Sequence, residues 1–321
     1  MKVAIIGANG QLGSDLVEVF GEDAIPLTHR DLDVSNPESL KILNELKPEV
    51  IINTAAYVRV DDAEVEVEKA FQVNAIGALN IAKVCNEINA VNVYISTDYV
   101  FDGAKGEPYD EDDVPNPINV YGLSKYTGEI FTRNFSLCGA PPHDPASPVR
   151  ALKKTLPKKY YVIRSSSLYG KAGARGKGGN FVEFMIQKAR SGEELKVVDD
   201  QFMSPTYTKD AAVMLKRFLA IKPAFGIYHI VNEGYCSWYD FTKEIFSIMG
   251  WDAQIQITPI KSSELKRLAR RPVFSALQNK KIREVGLEMR DWREALKDYL
   301  VEKGEIVTKG NKGGKLFMWD E

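Results

Sequence analysis

The sequence contains few of the residues that build metal centres and disulfide frameworks. Its 321 residues include only three histidines and three cysteines. Cys85, Cys138 and Cys236 are widely spaced and odd in number, so they offer neither a Cys-x-x-Cys pair nor a set of bridges. Together with the scattered histidines, they form no zinc-binding pattern. The sequence does not predict whether the protein binds another metal. We therefore expect a cytoplasmic protein.

Long apolar runs and a charge imbalance are also missing. No apolar stretch approaches the ~20 residues of a membrane helix, and the first residues predict a short strand rather than a signal peptide. The 42 basic and 44 acidic residues leave a net charge of −2, which argues against nucleic acid or a membrane as the partner. The hydrophobic content of 44% is ordinary for a globular protein, and the length suffices for two lobes.

The first two-fifths of the chain alternates short apolar runs with amphipathic helical patterns. The predicted strands are Val3–Ile6, Ala24–Leu27, Val50–Asn53, Val91–Ser96 and Tyr160–Ile163. The predicted helices between them are Gln11–Phe20, Pro37–Leu46, Glu66–Ile88 and Asn119–Asn134. Strands that alternate with helices imply crossover connections, so we predict an α/β fold with a Rossmann-type, doubly wound parallel sheet.

The second half mixes strands and helices without strict alternation and predicts a smaller, mixed α/β substrate lobe. Its predicted elements are the helices Phe181–Arg190, Trp238–Met249 and Asp291–Val301 and the strands Leu195–Val198 and Gly226–Val231. We expect a cofactor-binding Rossmann domain over residues 1–165, with 195–232 partly returning to it. The substrate lobe is then formed by 166–194 and 233–302.

Two further stretches differ in composition from the rest of the chain. Residues 138–159 contain five prolines and have a basic second half, which predicts a surface insertion. This insertion is either simply tolerated or an interaction loop. The tail 303–321 is rich in glycine and lysine and either frays or docks against a partner.

Three glycines follow the first strand with the spacing of a dinucleotide-binding loop. Gly7, Gly10 and Gly13 stand directly after Val3–Ile6 and open the helix Gln11–Phe20. Glycine permits a tight turn and a close approach of the backbone to a pyrophosphate, and the helix N-terminus supplies free N–H groups. The loop therefore predicts a nicotinamide dinucleotide cofactor.

The residues after the second strand bear on the choice between NADPH and NADH. A carboxylate normally ends this strand where the ribose hydroxyl of NAD is bound, but here the chain continues as Thr28, His29 and Arg30. Arg30 could pair with a 2′-phosphate, which favours NADPH. If Arg30 is merely exposed, NADH is possible as well. Asp33 and Val34 are placed to flank the adenine, although they also precede a helix start.

Hydroxyl, phenol and ammonium groups follow in an order that suits the reduction of a ketone. Ser96 and Thr97 end the fourth strand, at the sheet edge where ligands bind in open α/β folds. Tyr121 and Lys125 are four residues apart, so they share one helix face. A nearby ammonium lowers the pKa of a phenol, which predicts that Tyr121 donates a proton to a carbonyl oxygen. Thr97 can bind the same oxygen.

These residues and their surroundings resemble the extended short-chain dehydrogenase/reductase superfamily and, within it, the dTDP-4-dehydrorhamnose reductase family. The resemblance covers about residues 1–300, apart from 138–159. Its motifs are Asn53-Thr-Ala-Ala-Tyr-Val-Arg-Val-Asp-Asp-Ala-Glu64, Asn74-Ala-Ile-Gly-Ala-Leu-Asn-Ile-Ala82, Ser96-Thr-Asp-Tyr-Val-Phe-Asp-Gly103, Asn119-Val-Tyr-Gly-Leu-Ser-Lys-Tyr-Thr-Gly-Glu129, Val198-Asp-Asp-Gln-Phe-Met-Ser-Pro-Thr206, Gly226-Ile-Tyr-His229, Ser237-Trp-Tyr-Asp-Phe241, and Arg271-Pro272 with Ser275.

The resemblance implies reduction of the C4 keto group of a dTDP-4-dehydro-6-deoxy sugar, most specifically dTDP-4-dehydro-L-rhamnose to dTDP-L-rhamnose. It implies that Tyr121 is the general acid, that Lys125 tunes it and binds the cofactor ribose, and that Thr97 polarises the carbonyl. Asp98 and Ser167 would contact the sugar, and a homodimer is possible. The predicted cofactor-binding residues are Gly7, Gly10, Gln11, Leu12, Gly13, Arg30, Asp33, Val34, Ala55, Ala56, Tyr57, Asn74, Tyr121 and Lys125.

Two positions depart from the family pattern. Ser167 stands where the family has a tryptophan that lies against the sugar, and Val58 stands where it has threonine. Both changes concern contacts to substrate and cofactor rather than the reaction, because losing an aromatic platform removes a constraint on shape. The exact sugar and nucleotide therefore stay open.

Two alternative functions remain at this point. A sugar-nucleotide epimerase or dehydratase is disfavoured, because related dehydratases have glutamate where this chain has Tyr99. A non-catalytic regulatory subunit that resembles the β subunit of methionine adenosyltransferase would suit the tail and the insertion. The complete set Thr97, Tyr121 and Lys125 argues for turnover instead.

Overall fold

The computed structural model of the protein describes residues 1–135, 159–173 and 178–307. The predicted insertion 138–159, apart from Lys159, lies outside these ranges, as do Cys138, part of the glycine-rich stretch after Tyr169 and residues 308–321 of the tail. None of the helices in the described ranges has the length and apolarity needed to span a lipid bilayer.

The strands of the described ranges, in chain order, form one large sheet and three small ones. They are β1 (Val3–Ile6), β2 (Ala24–Leu27), β3 (Val50–Asn53), β4 (Val91–Thr97), β5 (Tyr160–Ser165), β6 (Leu168–Tyr169), β7 (Leu195–Val198), β8 (Phe202–Met203), β9 (Thr206–Tyr207), β10 (Gly226–His229), β11 (Cys236–Ser237) and β12 (Ile257–Ile260). The large sheet has the order β10-β5-β4-β3-β1-β2 and all its pairs are parallel.

The helices connect successive strands and cover both faces of the large sheet. They are α1 (Gln11–Phe20), α2 (Lys41–Leu46), α3 (Val60–Ala63), α4 (Val67–Phe71), α5 (Gly77–Ile88), α6 (Val120–Phe135), α7 (Phe181–Arg190), α8 (Thr208–Ile221), α9 (Trp238–Met249), α10 (Lys280–Glu284) and α11 (Trp292–Glu302). Short 3₁₀ turns cover Gly21–Asp23, Pro37–Leu40, Asp98–Val100 and Ser262–Glu264.

Alternate side chains of the central strands pack into two separate hydrophobic cores. Val3 and Ile5 of β1 belong to the core under α1 and α8, whereas Ala4 and Ile6 belong to the core under α2 and α5. This is the two-sided burial that near-continuous apolar strands require. The predicted doubly wound α/β fold is therefore confirmed.

A third core forms away from the large sheet. It collects apolar side chains of α7, α9 and α11 around the buried Phe241 and Trp292. β7, predicted as a strand, pairs in parallel with β12 outside the large sheet, whereas β10 joins the large sheet beside β5. How the chain divides into domains stays a prediction.

The long helix predicted over Glu66–Ile88 is interrupted. α4 and α5 are joined by a π-helical turn over Gln72–Ile76, and such turns are common at functional sites. The hydroxyl of Tyr94 donates to the carbonyl oxygen of Asn74 over 2.8 Å. One irregular turn leaves the apolar periodicity almost unchanged, so it could not be predicted from the residue pattern.

Candidate active site

One cavity of about 920 Å³ lies at the carboxyl edge of the large sheet. Its walls come from the loop between β1 and α1, the ends of β3 and β4, the start of α6, and α7 with the start of α9. Most of the predicted site residues line it: Gly7, Gly10, Gln11, Leu12, Asp33, Val34, Ala55, Ala56, Tyr57, Thr97, Asp98, Tyr121, Lys125 and Ser167. Gly13, Arg30 and Asn74 are not in its wall.

The close packing of α1 against the loop that follows β1 requires glycine at two of the three motif positions, Gly7 in the loop and Gly13 in α1. Gly7 has a φ of +79°, and a Cβ there would lie 2.6 Å from the Thr54 hydroxyl oxygen. A Cβ on Gly13 would fall far inside the contact distance of the Gly7 carbonyl oxygen. The loop is therefore a close-packed cradle, and α1 begins at Gln11 with its first N–H groups at the cavity edge.

Asn74 acts from behind the cavity wall. Its side-chain oxygen accepts from the Tyr57 amide over 2.8 Å, and its amide donates to the Tyr57 carbonyl over 3.1 Å and to Ser124 over 2.9 Å. Because Tyr57 lines the cavity and Asn74 is fully buried, Asn74 positions the segment after β3. Its predicted contact with the cofactor stays a prediction.

Arg30 is exposed and lies beside the cavity, whereas its neighbour His29 lines it. A carboxylate that the sequence reasoning did not consider, Asp31, also stands at the end of β2. One of its oxygens accepts from the Thr28 amide over 2.8 Å and from the Thr28 hydroxyl over 2.7 Å. These hydrogen bonds lower the pKa of Asp31. The cationic Arg30 and the carboxylate of Asp31 are therefore adjacent in the segment that follows β2.

Thr97, Tyr121 and Lys125 meet in the centre of the cavity wall. The Thr97 side chain lies close enough to the Tyr121 hydroxyl to lower the pKa of that phenol in part. The Lys125 ammonium donates to the Ile95 carbonyl over 2.6 Å and lies 4.2 Å from the centre of the Tyr94 ring. Strand β4 and helix α6 therefore hold the three groups together, as the helical spacing and the strand end predicted.

The electrostatics of Tyr121 differ from the sequence expectation. Burial raises the pKa of Tyr121, the nearby Thr97 side chain opposes this, and the charge of Asp98 raises it further. The expected lowering by Lys125 is wrong for the protein without ligands, because burial lowers the pKa of Lys125 itself to about 7.

Asp98 is tied to its neighbours rather than free in the cavity. Its carboxylate accepts from the Thr97 hydroxyl over 2.9 Å, from Ser166 over 3.0 Å and from Ser275 over 2.5 Å. Burial raises the pKa of Asp98, and these hydrogen bonds lower it in part. Asp98 therefore orients Thr97, and its predicted contact with the sugar stays a prediction.

A salt bridge from the second half of the chain supports the site from outside. Arg271 pairs with both carboxylate oxygens of Asp61 over 2.9 and 2.6 Å, and its charge lowers the pKa of the nearby Tyr99 in part. The Tyr99 ring stands edge-on to Tyr121, with 5.9 Å between the ring centres. The segment around Arg271 is thereby held against α3.

Ser167 adopts a left-handed backbone conformation at the cavity wall. Its φ is +44°, a region that costs a side-chain-bearing residue energy and that clusters at functional sites. Its carbonyl oxygen accepts from the Thr206 amide over 3.3 Å. The substitution for tryptophan therefore stands at a constrained position, and its role toward the sugar stays a prediction.

The sequence reasoning missed the lobe residues of the cavity wall. Phe181, Phe184 and Gln187 of α7 line it together with Trp238 of α9. The rings of Phe181 and Trp238 are 4.4 Å apart. Both helices were predicted, but an amphipathic pattern does not tell which partner a face meets. Among the described residues, no group of three or more His, Cys, Asp or Glu is arranged to hold a metal ion.

Comparison with known proteins assigns the chain to a family. The family described as RmlD substrate binding domain matches residues 1–140 and 149–304. The chain is 37% identical to the spore coat polysaccharide biosynthesis protein SpsK of Bacillus subtilis, over 94% of this chain and 98% of that protein. It is 34% identical to the dTDP-4-dehydrorhamnose reductase of Aggregatibacter actinomycetemcomitans, over 92% and 97%.

A solved structure agrees with these relatives. The dTDP-4-dehydrorhamnose reductase of Bacillus anthracis, in complex with NADP, is 40% identical to this chain. It superposes with a TM-score of 0.81 over 94% of this chain and 100% of its own. On the family match and these identities, the chain belongs to the dTDP-4-dehydrorhamnose reductase family.

Proposed function

We propose that the protein uses NADPH to reduce the C4 keto group of a dTDP-4-dehydro-6-deoxy sugar, most specifically dTDP-4-dehydro-L-rhamnose. The observation that carries this proposal is that Thr97, Tyr121 and Lys125 line the same cavity as the glycine cradle. A proton donor and a dinucleotide site then face one bound ketone. The names of the relatives support the sugar nucleotide as the substrate.

The residues of the cradle fit a dinucleotide. Gly7 and Gly13 leave space that a Cβ would fill, so a pyrophosphate can approach the backbone at the start of α1. Ala55 and Ala56 leave the wall after β3 open for the rest of the cofactor. When bound, the nicotinamide supplies the hydride that reduces the carbonyl carbon. NADPH is supported by the related structure that contains NADP.

Side chains of the protein polarise and protonate the carbonyl oxygen of the substrate. Thr97 has one hydroxyl proton, which it donates to Asp98. To polarise a carbonyl, the Thr97 hydroxyl has to turn away from Asp98. Tyr121 then delivers its proton to the oxygen as negative charge develops there, and an ammonium at Lys125 favours the resulting phenolate.

The identity of the product tests the proposed substrate. We expect one equivalent of NADPH to convert dTDP-4-dehydro-L-rhamnose, generated in situ, into dTDP-L-rhamnose, identified by NMR from the configuration at C4. Other dTDP-4-keto-6-deoxy sugars serve as competitors in parallel reactions. A product with the opposite configuration at C4, or faster turnover of another keto sugar, would reassign the substrate.

The preference for NADPH tests Arg30. Replacing Arg30 with alanine is expected to raise KM for NADPH by about tenfold or more and to change KM for NADH little, because the guanidinium matches a 2′-phosphate. Lys83→Ala removes an exposed cation from α5, away from the cavity, and is the matched control. Equal changes for the two cofactors would remove Arg30 from this role and leave the nearby Asp31 and His29 as candidates.

The oligomeric state and the place of action stay predictions. The reaction would take place in the cytoplasm, where a nucleotide-sugar substrate is accessible to the protein, and a homodimer remains possible. Analytical ultracentrifugation of the purified full chain distinguishes a monomer from a dimer.

A further inference from the structure

A buried ion pair lies directly beneath the catalytic lysine. Glu129 and Arg164 are 0% and 1% exposed, and two hydrogen bonds of 2.9 and 2.8 Å join the carboxylate to the guanidinium. The Ser96 hydroxyl donates to the same carboxylate over 2.5 Å. The pair therefore bridges helix α6 to the ends of β4 and β5.

Stability alone does not account for this pair. Removing two charges from water costs several kcal/mol for each ion, and an apolar replacement of similar volume is often as stable. One guanidinium nitrogen of Arg164 also has no hydrogen-bond partner among the described residues. An arrangement that is expensive for the fold suggests a role in the site above it.

Glu129 is placed to act on Lys125. The two residues are four apart on α6, so they lie on one helix face. Lys125 is 2% exposed, and its ammonium meets only a carbonyl oxygen and the face of the Tyr94 ring among the contacts recorded for it. The negative charge of Glu129 raises the pKa of Lys125 against the effect of burial.

The other groups near Lys125 do not replace Glu129. The titratable and charged groups around it are Tyr121 and Glu129 on its own helix, Tyr94 on β4, Asp98 just after β4, and Arg164 on β5. Burial raises the pKa of both Tyr94 and Asp98, which disfavours their charged forms. The positive charge of Arg164 disfavours a charged ammonium at Lys125.

We propose that Glu129, held by Arg164 and Ser96, is a positioning residue that keeps the Lys125 ammonium charged and aligns the end of β4 with the catalytic helix. Lys125 and Glu129 contact consecutive residues of β4, at the Ile95 carbonyl and the Ser96 hydroxyl, and Thr97 follows directly. The pair therefore sets both the charge behind Tyr121 and the place of Thr97. This role in catalysis depends on the proposed reductase function.

The pKa of Lys125 in the protein without ligands tests the electrostatic part. It can be followed by NMR of ¹³C-labelled lysine, with Lys125→Met to assign the signal. In Glu129→Gln, which retains the shape but not the charge, the pKa of Lys125 is expected at least about one pH unit below that of the wild type. Glu45→Gln, an exposed acid on α2, is the control and is expected to leave it unchanged.

A double variant separates the charge of Glu129 from an unpaired Arg164. Glu129→Gln leaves a buried guanidinium without its partner, which destabilises a protein and itself repels Lys125. Glu129→Gln with Arg164→Met removes both charges and protects the fold. A lowered pKa of Lys125 in both variants supports the proposal. An unchanged pKa in the folded double variant overturns it, whatever the single variant shows.

The pH dependence of turnover tests the consequence for catalysis. A group that must stay protonated produces a loss of kcat at alkaline pH. Glu129→Gln with Arg164→Met is expected to move this loss to lower pH by the same interval as the Lys125 pKa. A profile that only falls in height overturns the catalytic role. If the wild type itself reduces no keto sugar, the proposed function fails, while the NMR titration still decides the effect on Lys125.

Discussion

Replacing Tyr121 with phenylalanine is expected to lower kcat by a factor of about 10²–10⁴ and to leave the Kd for NADPH nearly unchanged. The substitution removes the proton donor but keeps the ring, which stands edge-on to Tyr99. Because hydride transfer without protonation leaves a charged oxygen on the product, the chemical step bears the loss.

Cofactor titration and a neighbouring tyrosine show whether the loss is specific. Tyr126 lies on the same helix, packs against the buried cluster around Phe101 and does not line the cavity. Tyr126→Phe is therefore expected to retain nearly full kcat. If Tyr121→Phe also retained kcat, Tyr121 could not be the acid, and a water molecule or Thr97 would have to deliver the proton.

Replacing Gly13 with alanine is expected to weaken NADPH binding by about tenfold or more, equivalent to about 1.4 kcal/mol. It is also expected to lower the free energy of unfolding by about 1–3 kcal/mol, as overpacking does. A Cβ at this position would collide with the backbone of Gly7 and Ala8. Backbone cannot turn aside as a flexible side chain can, so α1 must move away from the loop.

Equilibrium binding and denaturant unfolding measure the two effects separately. Gly226→Ala is the control, because a Cβ there would meet its nearest neighbour at 4.0 Å. It adds the same methyl group to a glycine of strand β10 and is expected to leave NADPH binding unchanged. Normal binding by Gly13→Ala would show that α1 can shift without disturbing the cradle, and it would separate the glycine spacing from cofactor recognition.

The fold could be predicted because its signals are local. Apolar runs such as Val3–Ile6 and Val50–Asn53 read as buried strands, and each was followed by a helix pattern. The predicted bounds of α1, α7 and α9 agree with the observed ones. The two-residue strands β6, β8, β9 and β11 were missed, because two residues contain no periodicity.

The residues that line the site could be predicted from the sequence more completely than the contacts among them. Spacing placed Tyr121 and Lys125 on one helix face, but not the burial that lowers the pKa of Lys125 to about 7. The partner of Asp98 on the far side, Ser275, is 177 residues away in sequence. Such contacts depend on how the two halves of the chain meet, which no local pattern records.

The same limit explains why Glu129 had no assigned role. In the sequence it is the end of a family motif, and on a solvated helix it would be one acid among many. Only the structure shows that it is fully buried and paired with Arg164 from the neighbouring strand. A charged residue without access to water needs a partner of opposite charge. Tertiary packing, rather than the local sequence, determines where that partner lies.

Steady-state oxidation of NADPH by the purified protein, with dTDP-4-dehydro-L-rhamnose generated in situ, tests the reductase most directly. We predict substrate-dependent loss of NADPH absorbance with kcat in the usual range of about 1–10³ s⁻¹, and its disappearance in Tyr121→Phe. Tight binding of NADPH with no oxidation, for this and every other dTDP-4-keto-6-deoxy sugar, would contradict catalysis and leave a cofactor-binding protein without turnover.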